Sequence, residues 1–259
     1  GLRFRADDTI NATIRRTAKR LNGRGVFLVD VERRFESFSE DCIAGGNLFL
    51  EHVHLTPTGN YVLASVVFEA IISQLPEVIT RINPEPAIAP REQYERLIGL
   101  TLREELNIYN TTVKSLEVAP FTSQLDNEQR LHAYRERAES LAERVDADPR
   151  AIVEGYRYAL TRNPQDLDLR LIYGTRMLSI GDHRDALGIF QDLDTRVPDN
   201  RAIIFSMGKA YYLMGNSARG EALFDRSIAV SPNKAASMLA ICRFYVSINE
   251  FNRASTYAN

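Results

Sequence analysis

The chain has 259 residues, of which 44% are hydrophobic and 25% are charged, and this composition is typical of a globular protein. A formal net charge of −2 gives no reason to expect nucleic acid as a partner. The two cysteines, Cys42 and Cys242, form neither a disulfide framework nor a zinc-binding pattern, so the sequence predicts no metal and no cofactor.

The first residues, GLRFRADD, are too polar for a signal peptide, and no run of 18 apolar residues occurs. The chain begins at Gly1 rather than at a methionine, and it ends at Asn259 inside an expected repeat. We therefore expect the natural protein to be longer at both ends, which leaves membrane anchoring open.

The first part of the chain, residues 1–80, has the pattern helix, strand, helix. Helical periodicity covers residues 8–22 and stops at the sequence NGRG, whose glycines suit a helix end. The run VFLVDV, residues 26–31, is short, apolar and β-branched, as in a strand buried in a parallel sheet. Thr56 and Pro57 suit the N-cap and first residue of a helix that is apolar almost all round. The pattern predicts the C-terminal portion of an α/β domain.

A proline-rich stretch, RINPEPAIAP at residues 81–90, breaks regular structure and marks a domain boundary. Beyond it the pattern is helical throughout. We predict helices at residues 91–99, 101–117 and 125–145. A capping box of Thr101 and Glu104 opens the second of them. Residues 81–132 are therefore interpreted as a helical linker.

The second half of the chain contains an internal repeat. Prolines stand 34 residues apart, at positions 164, 198 and 232. Four further registers follow the same period: Gly174, Gly208 and Cys242; Met177, Tyr211 and Tyr245; Ala186, Gly220 and Ala254; Tyr156, Phe190 and Phe224. This pattern resembles the tetratricopeptide repeat, a helix-turn-helix unit of 34 residues. The resemblance implies an all-α solenoid with repeats at residues 133–166 (degenerate), 167–200, 201–234 and 235–259 (incomplete), and a mostly helical protein overall.

The stretch FLEHVHLTPTGNYVLA, residues 49–64, places Glu51, His52 and His54 directly before a predicted helix. A carboxylate that accepts a hydrogen bond from one imidazole nitrogen fixes the tautomer of the ring. The other ring nitrogen is then free to act as a base toward a serine hydroxyl. The spacing acid-x-x-His therefore suits an acid–base pair.

The sequence GVFLVDVERRF, followed by the acid-x-x-His block and LTPTGNYVLA, resembles the closing segment of SGNH/GDSL-type hydrolases. The resemblance covers roughly residues 8–75 and implies the end of a flavodoxin-like sheet and an ester hydrolase. It implies that His54 is the general base and Glu51 the orienting acid, although aspartate is usual in the family. The family's earlier serine, glycine and asparagine blocks have no counterpart, and neither Gly-Asp-Ser nor Gly-x-Ser-x-Gly occurs. We therefore expect this chain to be inactive by itself.

Two other interpretations of His54 stay open. One is a structural relic of a former active site. The other is a metal ligand, because a His-x-His pair binds zinc when a third protein ligand is near, but no third ligand stands at a recognisable spacing.

The repeats predict a binding surface, because the first helix of each unit lines the concave side of such a solenoid. Positions i, i+4 and i+7 of these helices form a stripe of Leu171, Thr175 and Leu178, then Phe205, Lys209 and Tyr212, then Leu239, Arg243 and Val246. Apolar groups mixed with Lys209 and Arg243 suit an extended peptide that carries an acidic group. Thr175, Phe205, Lys209, Tyr212 and Arg243 are the predicted partner-binding residues. The alternative is that these side chains only pack between repeats.

Two functions from different classes fit these observations. The first is a repeat-containing ester hydrolase that acts on an acyl or acetyl ester, including esters of carbohydrate, while the repeats hold a protein or peptide. The second is a non-catalytic tetratricopeptide scaffold whose hydrolase-like portion has decayed. The hydrolase resemblance implies an extracytoplasmic or cell-envelope location.

Overall fold

The computed structural model describes residues 8–76 and 88–258, which form helices for most of their length. The α-helices are α1 Asp8–Arg20, α2 Val31–Ser37, α3 Pro57–Ile72, α4 Arg91–Leu97, α5 Leu102–Leu116, α6 Asn127–Ala147, α7 Pro149–Arg162, α8 Leu167–Ser179, α9 His183–Arg196, α10 Arg201–Leu213, α11 Ser217–Ala229, α12 Lys234–Ser247 and α13 Phe251–Thr256. Short 3₁₀ turns lie at Glu40–Cys42 and Phe121–Ser123. Within these two ranges no helix has the length and apolarity that crossing a bilayer requires.

The chain divides into two compact units. The first comprises Gly1–Tyr94 and Thr111–Leu131, and the second comprises Glu95–Asn110 and His132–Asn259. The domain boundary predicted at residues 81–90 falls largely outside the described residues.

The predicted strand at residues 26–31 is wrong. Residues 26–30 belong to no strand or helix, and Val31 begins α2. Val26, Phe27 and Leu28 of this segment are exposed, with Phe27 at 59%. A strand is stable only when it pairs with neighbours, and the described residues supply none, since their one β-contact is an isolated bridge between Phe49 and Leu55. The predicted α/β fragment is therefore helical in the described part of the chain.

Polar contacts hold α1 against the segment that follows it. Nε of Arg15 lies 2.8 Å from a carboxylate oxygen of Asp30, and the same guanidinium donates to Glu32. Nδ2 of Asn11 donates to Glu32 at 2.7 Å. Arg15 thus ties α1 to the segment that follows it by ion pairs within the first unit.

The first unit has a small apolar core that supports a loop. Phe35 of α2, Leu48 and Val62 of α3 are buried together, and the Phe35 ring meets Phe49 edge-on at 5.7 Å between centroids. Gly59, in the first turn of α3, permits the closest contact, because a Cβ there would lie 2.2 Å from the carbonyl oxygen of Leu48. This contact fixes the start of α3 against the loop at residues 47–56.

The second unit is a solenoid of tetratricopeptide-like helical hairpins, which confirms the helical solenoid predicted from the period. The second helices of three hairpins, α9, α11 and α13, begin at His183, Ser217 and Phe251, each 34 residues after the last. Their partners are α8, α10 and α12, and α6 and α7 precede them in the chain. The unit is held together by apolar clusters between these helices.

Glycine and phenylalanine pair inside two successive hairpins. A Cβ on Gly174 would lie 2.7 Å from the Phe190 ring, and a Cβ on Gly208 would lie 2.7 Å from the Phe224 ring. Both phenylalanines are fully buried. The helices therefore approach closely only because the glycines leave room for the rings, as the repeated small and aromatic positions predict.

Asparagine and aspartate side chains begin the first helix of each hairpin. Asp166 accepts a hydrogen bond from the backbone N–H of Leu169, and Asn233 accepts one from Ala236. Oδ1 of Asn200 accepts from the N–H groups of Ala202 and Ile203. These caps satisfy N–H groups that have no partner within the helix, and they follow the repeated prolines by one or two residues.

The side chains of the predicted capping box hydrogen-bond to Tyr156 rather than to the backbone of α5. Oγ1 of Thr101 donates to the Tyr156 hydroxyl at 3.1 Å, and that hydroxyl donates to Glu104. Burial, reinforced by the hydrogen bond to Glu104, raises the pKa of Tyr156 to about 12. Leu106 of α5 is buried in the same cluster, so the start of α5 belongs to the core of the second unit.

Candidate functional site

The first candidate site is a tight loop that precedes α3. The N–H of Leu50 donates to the carbonyl of His54 at 2.8 Å, and the N–H of Thr56 donates to the carbonyl of Leu48 at 2.9 Å. Oγ1 of Thr56 accepts from the N–H of Gly59 at 3.0 Å, which confirms Thr56 as the N-cap of α3. The loop between these contacts holds Glu51 at a fixed position beside the helix start.

The carboxylate of Glu51 is buried and surrounded by donors. It accepts hydrogen bonds from the N–H groups of Val53 at 2.9 Å and His54 at 3.1 Å. Nδ1 of His54 contacts the same carboxylate, and Nδ1 of His52 lies 2.6 Å from its other oxygen. The structure thus brings both histidines onto the one acid that the sequence singles out.

Burial and hydrogen bonding act on Glu51 in opposite directions. Burial raises the pKa of Glu51, but the hydrogen bonds from Val53 and His54 outweigh it, so the pKa lies below its ordinary value. Glu51 is therefore an anion at neutral pH, the state in which a carboxylate orients an imidazole.

The two histidines have different surroundings. The side chain of His54 is 78% exposed, so its Nε2 edge faces solvent while Nδ1 is held by Glu51. The side chain of His52 is largely covered, and its ring lies 4.9 Å from the ring of Phe121. His54 is the histidine that a substrate can reach, whereas His52 packs within the first unit.

This arrangement supplies an oriented base without a nucleophile. In the described ranges, no hydroxyl group hydrogen-bonds to the His54 ring. Nor do three or more histidine, cysteine, aspartate or glutamate side chains of those ranges come together in a way that could hold a metal ion. The geometry is that of a buried carboxylate in contact with one nitrogen of an exposed imidazole.

The second candidate site is the stripe on the first helices of the hairpins. Lys209 of α10 is half-buried, and its ammonium lies 5.0 Å from the centre of the Phe205 ring. Burial, followed by repulsion from Arg176, lowers the pKa of Lys209. In residues 8–76 and 88–258 neither Lys209 nor Arg243 has a carboxylate within ion-pair distance.

The aromatic members of the stripe serve the solenoid core as well. Phe205 lies 5.6 Å from the ring of Phe224, and Tyr212 meets the rings of Phe244 and Tyr245 edge-on at 5.7 and 5.3 Å. The packing alternative therefore applies to Phe205 and Tyr212, each of which keeps only part of its surface open.

The remaining members of the stripe differ in exposure. Leu239, Arg243 and Val246 of α12 are exposed, and Thr175 of α8 is half-buried with its hydroxyl bonded to the carbonyl of Leu171 at 2.8 Å. The open part of the stripe is thus cationic and aliphatic.

Sequence reasoning missed Arg176, which follows Thr175 by one position. Nη2 of Arg176 lies 3.6 Å from Oε1 of Glu104, while its Nε is buried without a hydrogen-bond partner. Arg176 stands one residue outside the i, i+4, i+7 pattern and was therefore not predicted. A helix face is wider than the single row of side chains that this pattern describes.

No protein-family model matches the chain, and no curated protein matches it. A solved structure titled "Crystal structure of MamA" aligns with 62% of this chain and 90% of its own chain, at 15% identity and a TM-score of 0.35. A likeness at that score carries no weight for fold or function. The description of the solenoid therefore rests on the period and packing of its own helices.

Proposed function

We propose that the chain is a peptide-binding module whose second unit binds an extended segment bearing an acidic group. The observation that carries this proposal is the pair Lys209 and Arg243, two cations on the first helices of successive hairpins without a carboxylate partner in the described part of the chain. Aliphatic side chains of Leu239 and Val246 lie exposed on the same helix as Arg243.

The electrostatics of Lys209 favour an anionic ligand. Its ammonium is partly desolvated and stands near another cation, Arg176, so the unliganded charge is unfavourable. A ligand carboxylate would replace the lost hydration and relieve the repulsion. Charge-assisted hydrogen bonds of this kind contribute about 1.5–3 kcal/mol each.

The test is fluorescence anisotropy with a labelled peptide that alternates leucine with aspartate or glutamate, compared with its glutamine and asparagine counterpart. Lys209→Met and Arg243→Met should each weaken binding by about tenfold or more. Arg219→Met is the matched control, because Arg219 is a cation on a second helix, α11, where it stacks on Tyr211 at 4.5 Å. Equal binding of both peptides, or full affinity in both methionine variants, would remove the proposal.

We propose ester hydrolysis as a second candidate function, in which His54 acts as the base and Glu51 orients it. The observation that favours it is the contact of the Glu51 carboxylate with Nδ1 of His54, whose imidazole is otherwise exposed. Such a base assists attack on an ester once a hydroxyl nucleophile or water is placed at Nε2.

Hydrolysis of p-nitrophenyl acetate tests this candidate. His54→Ala and Glu51→Gln should lower the histidine-dependent rate, whereas His132→Ala should not. His132 is the control because it is similarly exposed, at 75%, but has only a surface contact with Glu136 at 3.4 Å. If His54→Ala and His132→Ala gave the same rate as the wild type, His54 would have no base function.

A further inference from the structure

A pocket of about 180 Å³ lies among α5, α6, α7 and α8 of the second unit. Two arginines line it, Arg103 from the first turn of α5 and Arg176 from α8. Val145, Pro149 and Ile152 supply its apolar wall. A volume of this size holds several water molecules and therefore admits a phosphate group.

Both arginines have unused hydrogen-bonding capacity. In residues 8–76 and 88–258 the Arg103 side chain has neither a hydrogen bond nor an ion pair, although it is half-buried. Nε of Arg176 is buried without a hydrogen-bond partner. Nη2 of Arg176 lies 3.6 Å from Oε1 of Glu104, beyond normal hydrogen-bond length, and that oxygen already accepts from Tyr156.

A buried guanidinium nitrogen without a partner, such as Nε of Arg176, costs free energy. Together with the half-buried Arg103 guanidinium at the same pocket, it indicates a ligand that supplies acceptors. Arginine's planar fork matches the oxygens of phosphate and carboxylate. A phosphate dianion can contact both guanidiniums with charged oxygens, whereas a carboxylate carries a single charge.

We propose that this pocket binds a phosphate monoester, with Arg103 and Arg176 as its two cationic contacts. Ser179 also lines the pocket, but its hydroxyl donates to the carbonyl of Arg176 at 2.7 Å and is not a free donor to the phosphate. Asp146 is the one acidic side chain that lines the pocket, and it opposes the anion. Arg176 stands near Lys209 of the stripe. Arg103 does not belong to the stripe, so the variant Arg103→Gln tests the pocket separately from the peptide-binding proposal.

Isothermal titration of the whole chain with inorganic phosphate, at constant ionic strength, tests the pocket. The wild type should bind one phosphate with a dissociation constant on the order of 1 mM. Acetate should bind at least tenfold more weakly, because it carries a single charge. Absence of saturable phosphate binding in the wild type would overturn the proposal.

Variants separate the pocket from general surface charge. Arg103→Gln and Arg176→Gln should each weaken phosphate binding by about tenfold, and Asp146→Asn should strengthen it about threefold, because it removes a nearby negative charge. Arg157→Gln is the control, since Arg157 is exposed and paired with Glu154. Phosphate affinity in Arg103→Gln equal to that of the wild type would contradict the site, even if Arg176→Gln failed to fold.

Two sources of the phosphate monoester are distinguished by further titrations. A short phosphoserine peptide that binds more tightly than phosphoethanolamine would identify a phosphorylated protein segment as the ligand. Equal affinities would identify a small phosphate ester. Either result upholds the pocket when Arg103→Gln weakens binding of the ester by about tenfold. Unchanged binding of the unphosphorylated acidic peptide to Arg103→Gln separates this pocket from the stripe.

Discussion

The packing of α10 against α11 predicts a large cost for a single added methyl group at Gly208. A Cβ there would lie 2.7 Å from two carbons of the Phe224 ring and 3.1 Å from the carbonyl oxygen of Gly220. Carbon atoms normally pack about 3.5–4 Å apart, so the helices or the ring must move by most of an ångström. Phe224 is fully buried, which leaves the ring no open space.

The expected magnitude combines two opposing effects. Overpacking costs up to about 3 kcal/mol in a tight core, and replacing glycine by alanine in a helix gains about 1 kcal/mol. Gly208→Ala should therefore destabilise the chain by about 2 kcal/mol, measured by urea unfolding followed by circular dichroism.

A second glycine supplies the matched control. Gly188 lies in α9, and a Cβ there would meet nothing within 4 Å. Gly188→Ala should therefore stabilise the chain by about 1 kcal/mol through helix propensity alone. If Gly208→Ala proved as stable as Gly188→Ala, the close approach of α10 and α11 would be wrong.

Three further predictions concern single side chains. Glu51→Gln should cost about 2 kcal/mol at neutral pH. The pKa of Glu51 is lowered in the fold, so its contribution to stability is present above the ordinary carboxyl range and is lost as pH falls through the lowered value. A difference in free energy of unfolding between variant and wild type that stayed constant into acid would contradict this. Asn200→Ala should cost about 1 kcal/mol in urea unfolding, because two N–H groups of α10 lose their acceptor, and an unchanged midpoint would refute the cap. The lowered pKa of Lys209 means that its ammonium loses its charge as pH rises, whereas the guanidinium of Lys209→Arg stays charged. The affinity for the acidic peptide should therefore fall at a lower pH in the wild type than in Lys209→Arg. Identical anisotropy profiles against pH would contradict this prediction.

The parts of the fold that local patterns determine were predictable from the sequence. The 34-residue spacing of Gly174 with Gly208 predicts a close approach of two helices at each glycine, and the structure contains it. That the rings of Phe190 and Phe224 fill the space beside these glycines is a finding of the structure. Thr56 before Pro57 likewise predicts the N-cap of α3. These features depend on neighbours within one hairpin or one helix turn.

Features that depend on distant neighbours were not predictable in this way. The segment at residues 26–30 has strand composition, but pairing requires partner strands, and composition does not reveal whether they are present. The contacts of Tyr212 with Phe244 and Tyr245 of the next hairpin depend on how far the helices overlap. Arg103 joins Arg176 at one pocket although 73 positions separate them, and no periodic pattern relates the two.

The spacing of Glu51 and His54 predicted their contact correctly, because three residues of loop bring a carboxylate within reach of the imidazole. The contact from His52 to the same carboxylate was not anticipated. It follows from the tight turn that the N–H groups of Val53 and His54 make around Glu51. The catalytic roles of Glu51 and His54 stay a prediction.

The most direct test of the peptide-binding proposal is an NMR titration of the ¹⁵N-labelled chain with the acidic peptide. Chemical-shift changes should concentrate on the first helices, at Thr175, Lys209 and Arg243, and leave the second helices, α9 and α11, largely unchanged. Changes confined to α9 and α11, or no changes at a peptide concentration that saturates other binding assays, would contradict the proposal.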